Sequence, residues 1–243
     1  MATHVIALEA EGAPDGPIIL IDASLSAAEL ANPRRLGGLA RVLRFRADPE
    51  RAVEARLRAR AIDPRRVTDI VLTHLDLDHA GGLADFPEAR VHVHPTELAA
   101  ARRRRTFGER LRYRPEQFGE ARFAEVAEEP REVAPGVEGI ALDLPAPFGG
   151  DAVALVPLFG HTRGHCGVLV TGADPPLLHV GDAYYARTER TQPPSWAFSM
   201  FRRSVHVDAR EASRSLGRIA ELEGSLSGLR VVSTHDPTEF PTP

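Results

Sequence analysis

Cysteine, tryptophan and lysine are almost missing from this chain of 243 residues, which holds one, one and none of them. A single thiol, Cys166, excludes an internal disulfide framework. No apolar run reaches the roughly 20 residues needed to cross a bilayer. The opening Met-Ala-Thr-His-Val-Ile-Ala-Leu-Glu-Ala-Glu lacks the basic stretch and apolar core of a signal peptide. The net charge is −4 and the pI about 6.2, so no surplus of positive charge points to nucleic acid or an anionic membrane. All 30 basic residues are arginine, from which no mechanism follows. Neither a repeat nor a low-complexity linker divides the chain. These absences leave a soluble cytoplasmic protein as the expectation, and 43% hydrophobic residues suffice for one α/β core.

Hydrophobic patterning predicts the framework. Ile18–Ile21 reads as a buried strand emptying into Asp22. Asp48-Pro49-Glu50 predicts a capped helix start, with Ala52, Val53, Leu57 and Ala61 on one apolar face. Strands are expected over 69–73 and 90–94, a helix from Pro95 through Ala101, and a weakly patterned surface excursion between Arg102 and Glu129. The second half reads as strands over 137–142, 152–158, 167–171 and 177–180. A helix from about Asp208 to Glu223 follows, with Ala212, Leu216, Ile219 and Leu222 inward, then a last strand over 229–232.

Chemistry concentrates in Thr-His-Leu-Asp-Leu-Asp-His-Ala-Gly-Gly over 73–82. His74, Asp76, Asp78 and His79 crowd into six positions directly after an apolar strand. Two carboxylates and two imidazoles so close stay unpaired or repel unless water or a cation satisfies them, and a divalent metal or a pair is the economical reading. Gly81 and Gly82 are expected to free the backbone for a tight turn around the ligands. His161, Asp182 and His235 repeat one grammar, a strand end followed by a metal-binding side chain, and loops at neighbouring strand ends converge.

This pattern resembles the metallo-β-lactamase superfamily, whose first motif is His-x-His-x-Asp-His with later His, Asp and His ligands. The likeness spans about Ile18 to Asp236 and implies a single such domain over 1–243. Its fold is an αββα sandwich, two mixed β-sheets flanked by helices. It implies that His74, Asp76 and His161 hold one metal, that Asp78, His79 and His235 hold a second, and that Asp182 bridges them. The chain departs from the pattern at Asp76, where the family usually has His. A carboxylate there makes the site harder, so two divalent ions are expected, zinc first, with iron or manganese as alternatives.

Two such cations ionise a shared water into a bridging nucleophile and polarise the scissile carbonyl, with Asp78 orienting the hydroxide and shuttling its proton. Within the superfamily the His-Ala-Gly-Gly sequence, Tyr185 three residues beyond Asp182, and His235-Asp236 resemble acyl-homoserine lactonases. Lactone or ester hydrolysis of a small molecule is therefore the expected function, with Tyr185 donating to the developing oxyanion. Thioester or phosphodiester hydrolysis and non-haem iron oxidoreductase or dioxygenase chemistry, the latter motivated by Asp76, are the alternatives. Nucleic acid and membrane are not expected partners; a homodimer is admitted.

Other residues receive plainer readings. His165 is expected to fix a ligand or loop by hydrogen bond, Cys166 to be a small buried hydrophobe, and Tyr184 to compete with Tyr185. His92 and His94 are expected to be structural, as are His4, His179 and His206. Arg102–Arg105 reads as a solvated helix end. Pro193–Phe201 reads as a pocket wall, a core piece or a dimer patch. The loops 24–46, 102–130 and 186–207 are expected to set the substrate.

Overall fold

The computed structural model describes residues 3–37, 47–192 and 195–240, so residues 38–46 of one predicted substrate loop and Pro193-Pro194 lie outside the described residues. Eleven described strands form two sheets. They are β1 (Ile6–Glu9), β2 (Ile18–Ile21), β3 (Val67–Val71), β4 (Arg90–His92), β5 (Arg122–Phe123), β6 (Arg131–Ala134), β7 (Val137–Leu142), β8 (Gly150–Pro157), β9 (Cys166–Val170), β10 (Leu177–His179) and β11 (Arg230–Val232). The described α-helices are α1 (Ala27–Ala31), α2 (Val53–Ala59), α3 (Leu77–Ala80), α4 (Pro95–Arg103), α5 (Phe107–Arg112), α6 (Pro115–Phe118), α7 (Trp196–Val205) and α8 (Ala209–Ser225).

The first sheet has the order β1-β2-β3-β4-β5 and the second β11-β10-β9-β8-β7-β6. Both are mixed: β2 pairs parallel with β3 and antiparallel with β1, and β10 pairs parallel with β11 and antiparallel with β9. Period-two side chains explain the layering. In β2, Ile18 and Leu20 pack toward Ala100, Ala101 and Phe118 on the helical side. Ile19 and Ile21 face the other way and meet Leu155 and Val168 of the second sheet. In β8, Ala154 and Val156 turn to Ile219 and Leu222 of α8. Helices, sheet, sheet and helices follow one another, the expected αββα sandwich.

Several predicted elements shift. Asp48 makes no side-chain cap bond; Pro49–Arg51 is a separate 3₁₀ turn before α2 begins at Val53. Ala61 leaves the expected apolar face, exposed and at φ 58° beyond the helix. Leu216 is only half-buried, whereas Ala212, Ile219 and Leu222 are buried as expected. The excursion over 102–129 contains α5, α6 and β5, short amphipathic pieces whose sparse apolar residues leave little period to read. Edge strands β1 and β6 were likewise unread, each only four residues long.

Gly82 has no unusual φ, and Gly81 sits at φ −58°, ψ −40°, so neither supplies turn freedom. Their reason is proximity. A Cβ on Gly82 would lie 2.0 Å from the Ala23 carbonyl oxygen, and one on Gly81 2.6 Å from Glu29 Oε2. The segment after β2 is pressed against the ligand-bearing turn.

Candidate metal centre

Strand register gathers the candidate ligands. In the parallel pair β10–β11, His179 stands opposite Val232, and Asp182 and His235 follow three residues beyond each. Val180 N donates to Val232 O at 2.8 Å and Thr234 N to Gly181 O at 3.0 Å, carrying the pairing into the loops. On the first sheet, Val71 stands opposite Ile21 and His92, which sends His74 out of the same end as Asp22. Cys166 N donates to Thr73 O at 2.9 Å and ties the two sheets at this edge. His161 arrives from the turn between β8 and β9.

All seven predicted ligands converge. His74, Asp76 and His161 form one group, Asp78, His79 and His235 a second, and His74, His79 and Asp182 a third, each with ligand atoms within 4.8 Å of one another. Asp182 lies between: its Oδ1 is 3.3 Å from His79 Nε2, its Oδ2 3.2 Å from His235 Nε2 and 3.6 Å from His161 Nε2. Asp76 Oδ2 is 3.4 Å from His74 Nε2 and 3.1 Å from His161 Nε2. Asp78 Oδ2 is 3.7 Å from His235 Nε2.

The imidazoles are oriented from behind. His79 Nδ1 donates to Asp22 Oδ2 at 2.8 Å, and His74 Nδ1 lies 2.9 Å from Thr73 Oγ1, which in turn donates to Asp22. Both rings thereby aim Nε2 at the centre, the arrangement by which outer carboxylates fix metal-binding histidines. Burial opposes the ionised form of Asp22, yet His79 beside it holds the carboxyl down at about 2. Burial also works against a charged His79, and Asp22 and Asp182 outweigh it, keeping that ring well above its ordinary value. Asp182 is likewise held ionised against its burial, chiefly by His235 and His79.

His165 performs its expected role: Nδ1 donates to Leu158 O at 2.8 Å, and Nε2 accepts from Asp182 N at 3.0 Å. Glu97, unread in the sequence, joins two ligand loops, accepting from Leu75 N at Oε1 and from Gly164 N at Oε2, both at 3.0 Å. Asp22 carried the same strand-end signal as the ligands and serves one step behind them. Arg112 had no signal at all within its charged segment. Its Nη1 donates to Asp76 Oδ2 at 2.6 Å and lies 3.0 Å from His161 Nε2, and its Nη2 bonds the Val205 carbonyl. Burial opposes ionisation of Asp76, and the Arg112 guanidinium, then His74, more than reverse it.

Tyr185 stacks on His235 with ring centres 5.4 Å apart and planes at 4°, and abuts Phe201 at 5.0 Å. Burial, then the Asp182 charge, pushes its hydroxyl well above the ordinary phenol range. Tyr184 is fully buried and donates to Glu239 at 2.8 Å. Cys166 is buried between the sheets as expected. His92 pairs with Asp69 at 2.7 Å and His94 caps α4, both structural. His206 departs from its plain reading, lying 3.2 Å from His161 through their Nδ1 atoms. Trp196 and Met200 are exposed and no residue of Trp196–Val205 is buried, which excludes a core role for the described part of that stretch.

The donor set suits cations. Among the described residues, His74 Nε2, His79 Nε2 and Asp182 Oδ1 are buried without a hydrogen-bond partner and face other candidate ligands, and Asp76 Oδ1 is likewise buried without a partner. The 3.3 Å approach of His79 to Asp182 lacks hydrogen-bond geometry.

A fold with candidate ligands gathered at one edge of paired mixed sheets fits a metal-binding α/β class. A sequence model described as the metallo-beta-lactamase superfamily matches residues 6–235. The chain belongs to that superfamily. It is 38% identical over 192 residues to a probable metallo-hydrolase of Mycobacterium tuberculosis, covering 76% of this chain and 57% of that protein. The chain thus spans under two thirds of the length of the first curated relatives it matches. An N-acyl homoserine lactonase, AttM of Rhizobium johnstonii, is 27% identical over 234 residues, covering 94% and 81%. An N-acyl homoserine lactone hydrolase solved with N-hexanoyl-L-homoserine bound at its metal centre aligns with TM-score 0.67 and 20% identity, covering 97% and 81%. The dizinc quorum-quenching lactonase AidC aligns at 0.62 and 16%, covering 98% and 73%. At such identities these two likenesses establish the fold. No described helix is long and apolar enough to cross a membrane.

Proposed function

We propose that this chain, acting as one domain over 1–243, is a metal-dependent hydrolase that opens a lactone or ester of a small molecule. His74, Asp76 and His161 would hold one divalent cation, Asp78, His79 and His235 another, with Asp182 between them and zinc as the first candidate. One observation carries the reading: three buried atoms of the candidate ligands, His74 Nε2, His79 Nε2 and Asp182 Oδ1, meet in the cluster with no hydrogen-bond partner. Each such atom left bare costs about 1–3 kcal/mol, which a coordinated cation recovers. Bound there, divalent cations polarise a carbonyl and make water acidic enough to ionise near neutral pH.

The chain's own residues do the rest. Asp78, whose side chain is 16% exposed, would take a proton at a carboxylate oxygen and return it to the leaving oxygen. Tyr185 stays protonated at working pH because burial and Asp182 keep its hydroxyl from ionising, so its O–H is available to the oxygen that gains charge. The Tyr185 ring is held flat against His235 and so stays beside the ligands. Likeness to the Rhizobium johnstonii lactonase favours a lactone over other esters.

The test is a hydrolysis panel of lactones, aryl esters, thioesters and phosphodiesters on protein of measured metal content. Lactone turnover that chelation removes and zinc restores is the expected outcome. Turnover of phosphodiesters alone overturns the lactone reading, and substantial iron with oxygen-dependent turnover overturns hydrolysis itself.

A further inference from the structure

We propose that Arg112 is a built-in competitor for one of the two cation positions, so that the Asp78, His79 and His235 group fills first and the His74, Asp76 and His161 group fills second and more weakly. This rests on the two-cation reading above. The Arg112 side chain is only 14% exposed, and its charge is already inside the site. Its Nη1 contacts Asp76 Oδ2 at 2.6 Å and His161 Nε2 at 3.0 Å, atoms belonging to two of that group's three candidate ligands. A cation drawing on both atoms must displace this N–H. Its Nη2 bond to the Val205 carbonyl, at the end of α7, fixes the fork in that pose.

The second group has the opposite surroundings. His79 faces the carboxylates of Asp22 and Asp182, and His235 faces those of Asp182 and Asp78. Asp182 is shared, its Oδ2 lying 3.6 Å from His161 Nε2 as well, but Asp22 adds a further carboxylate beside this group, whereas at the first the charge of Asp76 is already matched by a guanidinium. An aspartate at 76, where an imidazole would be neutral, gives Arg112 its anionic partner. Two positive charges a few ångströms apart repel strongly at the low effective dielectric of a buried site. The two positions are therefore unequal in affinity, and Arg112 sets the difference.

The experiment strips the full chain with a chelator and titrates it with Co²⁺, following visible absorption and heat, with thermal melts as a fold control. The first equivalent should bind at least about tenfold more tightly than the second, as expected of a repelling buried charge. His79→Ala should remove the tight step and His161→Ala the weak one. Arg112→Met should close most of the gap, and Arg112→Lys, which keeps the charge but loses the fork, should close less of it. Equal affinities in the unaltered chain overturn the proposal, as does loss of the tight step in His161→Ala. So does a folded Arg112→Met with an unchanged gap. Should Arg112→Met not fold, the unaltered chain and Arg112→Lys decide in the same way. Uptake of no cobalt refutes the two-cation reading itself, and this inference with it.

Discussion

The two flanks of the candidate centre are built differently. On the side of Asp22 and the 74–82 turn, contacts are buried and redundant. Ala23 N bonds His79 O at 2.9 Å, Gly82 N bonds Ser24 O at 2.9 Å, and one Asp22 carboxylate accepts three contacts from Thr73. Asp22 and Ser24 sit at φ 61° and 59°, a left-handed conformation that persists only where surrounding structure over-determines it. On the side of α5 and α7, Phe107, Leu111, Trp196 and Met200 are 74%, 49%, 80% and 51% exposed. Arg112 joins these two helices through the Val205 carbonyl. The ligand-bearing flank is positioned before any substrate arrives, whereas the apolar flank has surface still to cover. Orientation of a metal set tolerates little slack; accommodation of an apolar group needs some.

The sharpest way to break this contrast is Gly82→Ala. Its Cβ would sit 2.0 Å from the Ala23 carbonyl, so the variant should lose at least about 3 kcal/mol in urea unfolding. Wild-type stability there would mean the flank yields. Asp22→Asn comes next, chosen because asparagine tolerates the left-handed backbone. It should weaken metal binding about 10–100-fold in competition with a chromophoric chelator; unchanged affinity would remove Asp22 from the centre.

Trp196→Ala probes the open flank. Its stability should stay within about 0.5 kcal/mol, the usual range for an exposed position, while KM for long-chain lactones rises severalfold. A large drop in Tm, lessening with dilution, would instead reveal that a second copy covers the helix. The smallest effect is expected at Asp85, where the rigid flank meets the N-terminus of α1 through the Ala27 amide. Burial pushes its carboxyl up to about 6, against 3.8 for the free group. The fold therefore favours protonated Asp85, and its contribution is present below pH 3.8 and lost as pH rises through 6. Asp85→Asn should melt like the parent near pH 4 and gain about 1 kcal/mol by pH 8, after discounting for partial exposure.

The sequence disclosed what short-range periodicity carries. β2, β7 and α8 are strongly patterned, and candidate ligands placed directly after strands ended up at one edge because neighbouring strands end together. Helix α5 was unreadable for the opposite reason. Its six residues hold two apolar positions among arginine and glutamate, and nothing local distinguishes Arg112 from the arginines that face water. Glu97 sits in the first turn of α4, where an acid is ordinary and draws no notice. The Gly81-Gly82 pair was visible but misread, since close approach by a distant segment leaves no mark on the local pattern.

Residue order alone singled out the candidate ligands, as metal-binding side chains placed just past strands, and pointed to the layered architecture through the resemblance those motifs carry. Tertiary structure alone decided what stands behind and beside those ligands: Asp22 under His79, Glu97 between two loops, Arg112 against Asp76. These pairings join residues from 22 to more than 50 positions apart, and charge complementarity at such separations acts only after the chain has closed on itself.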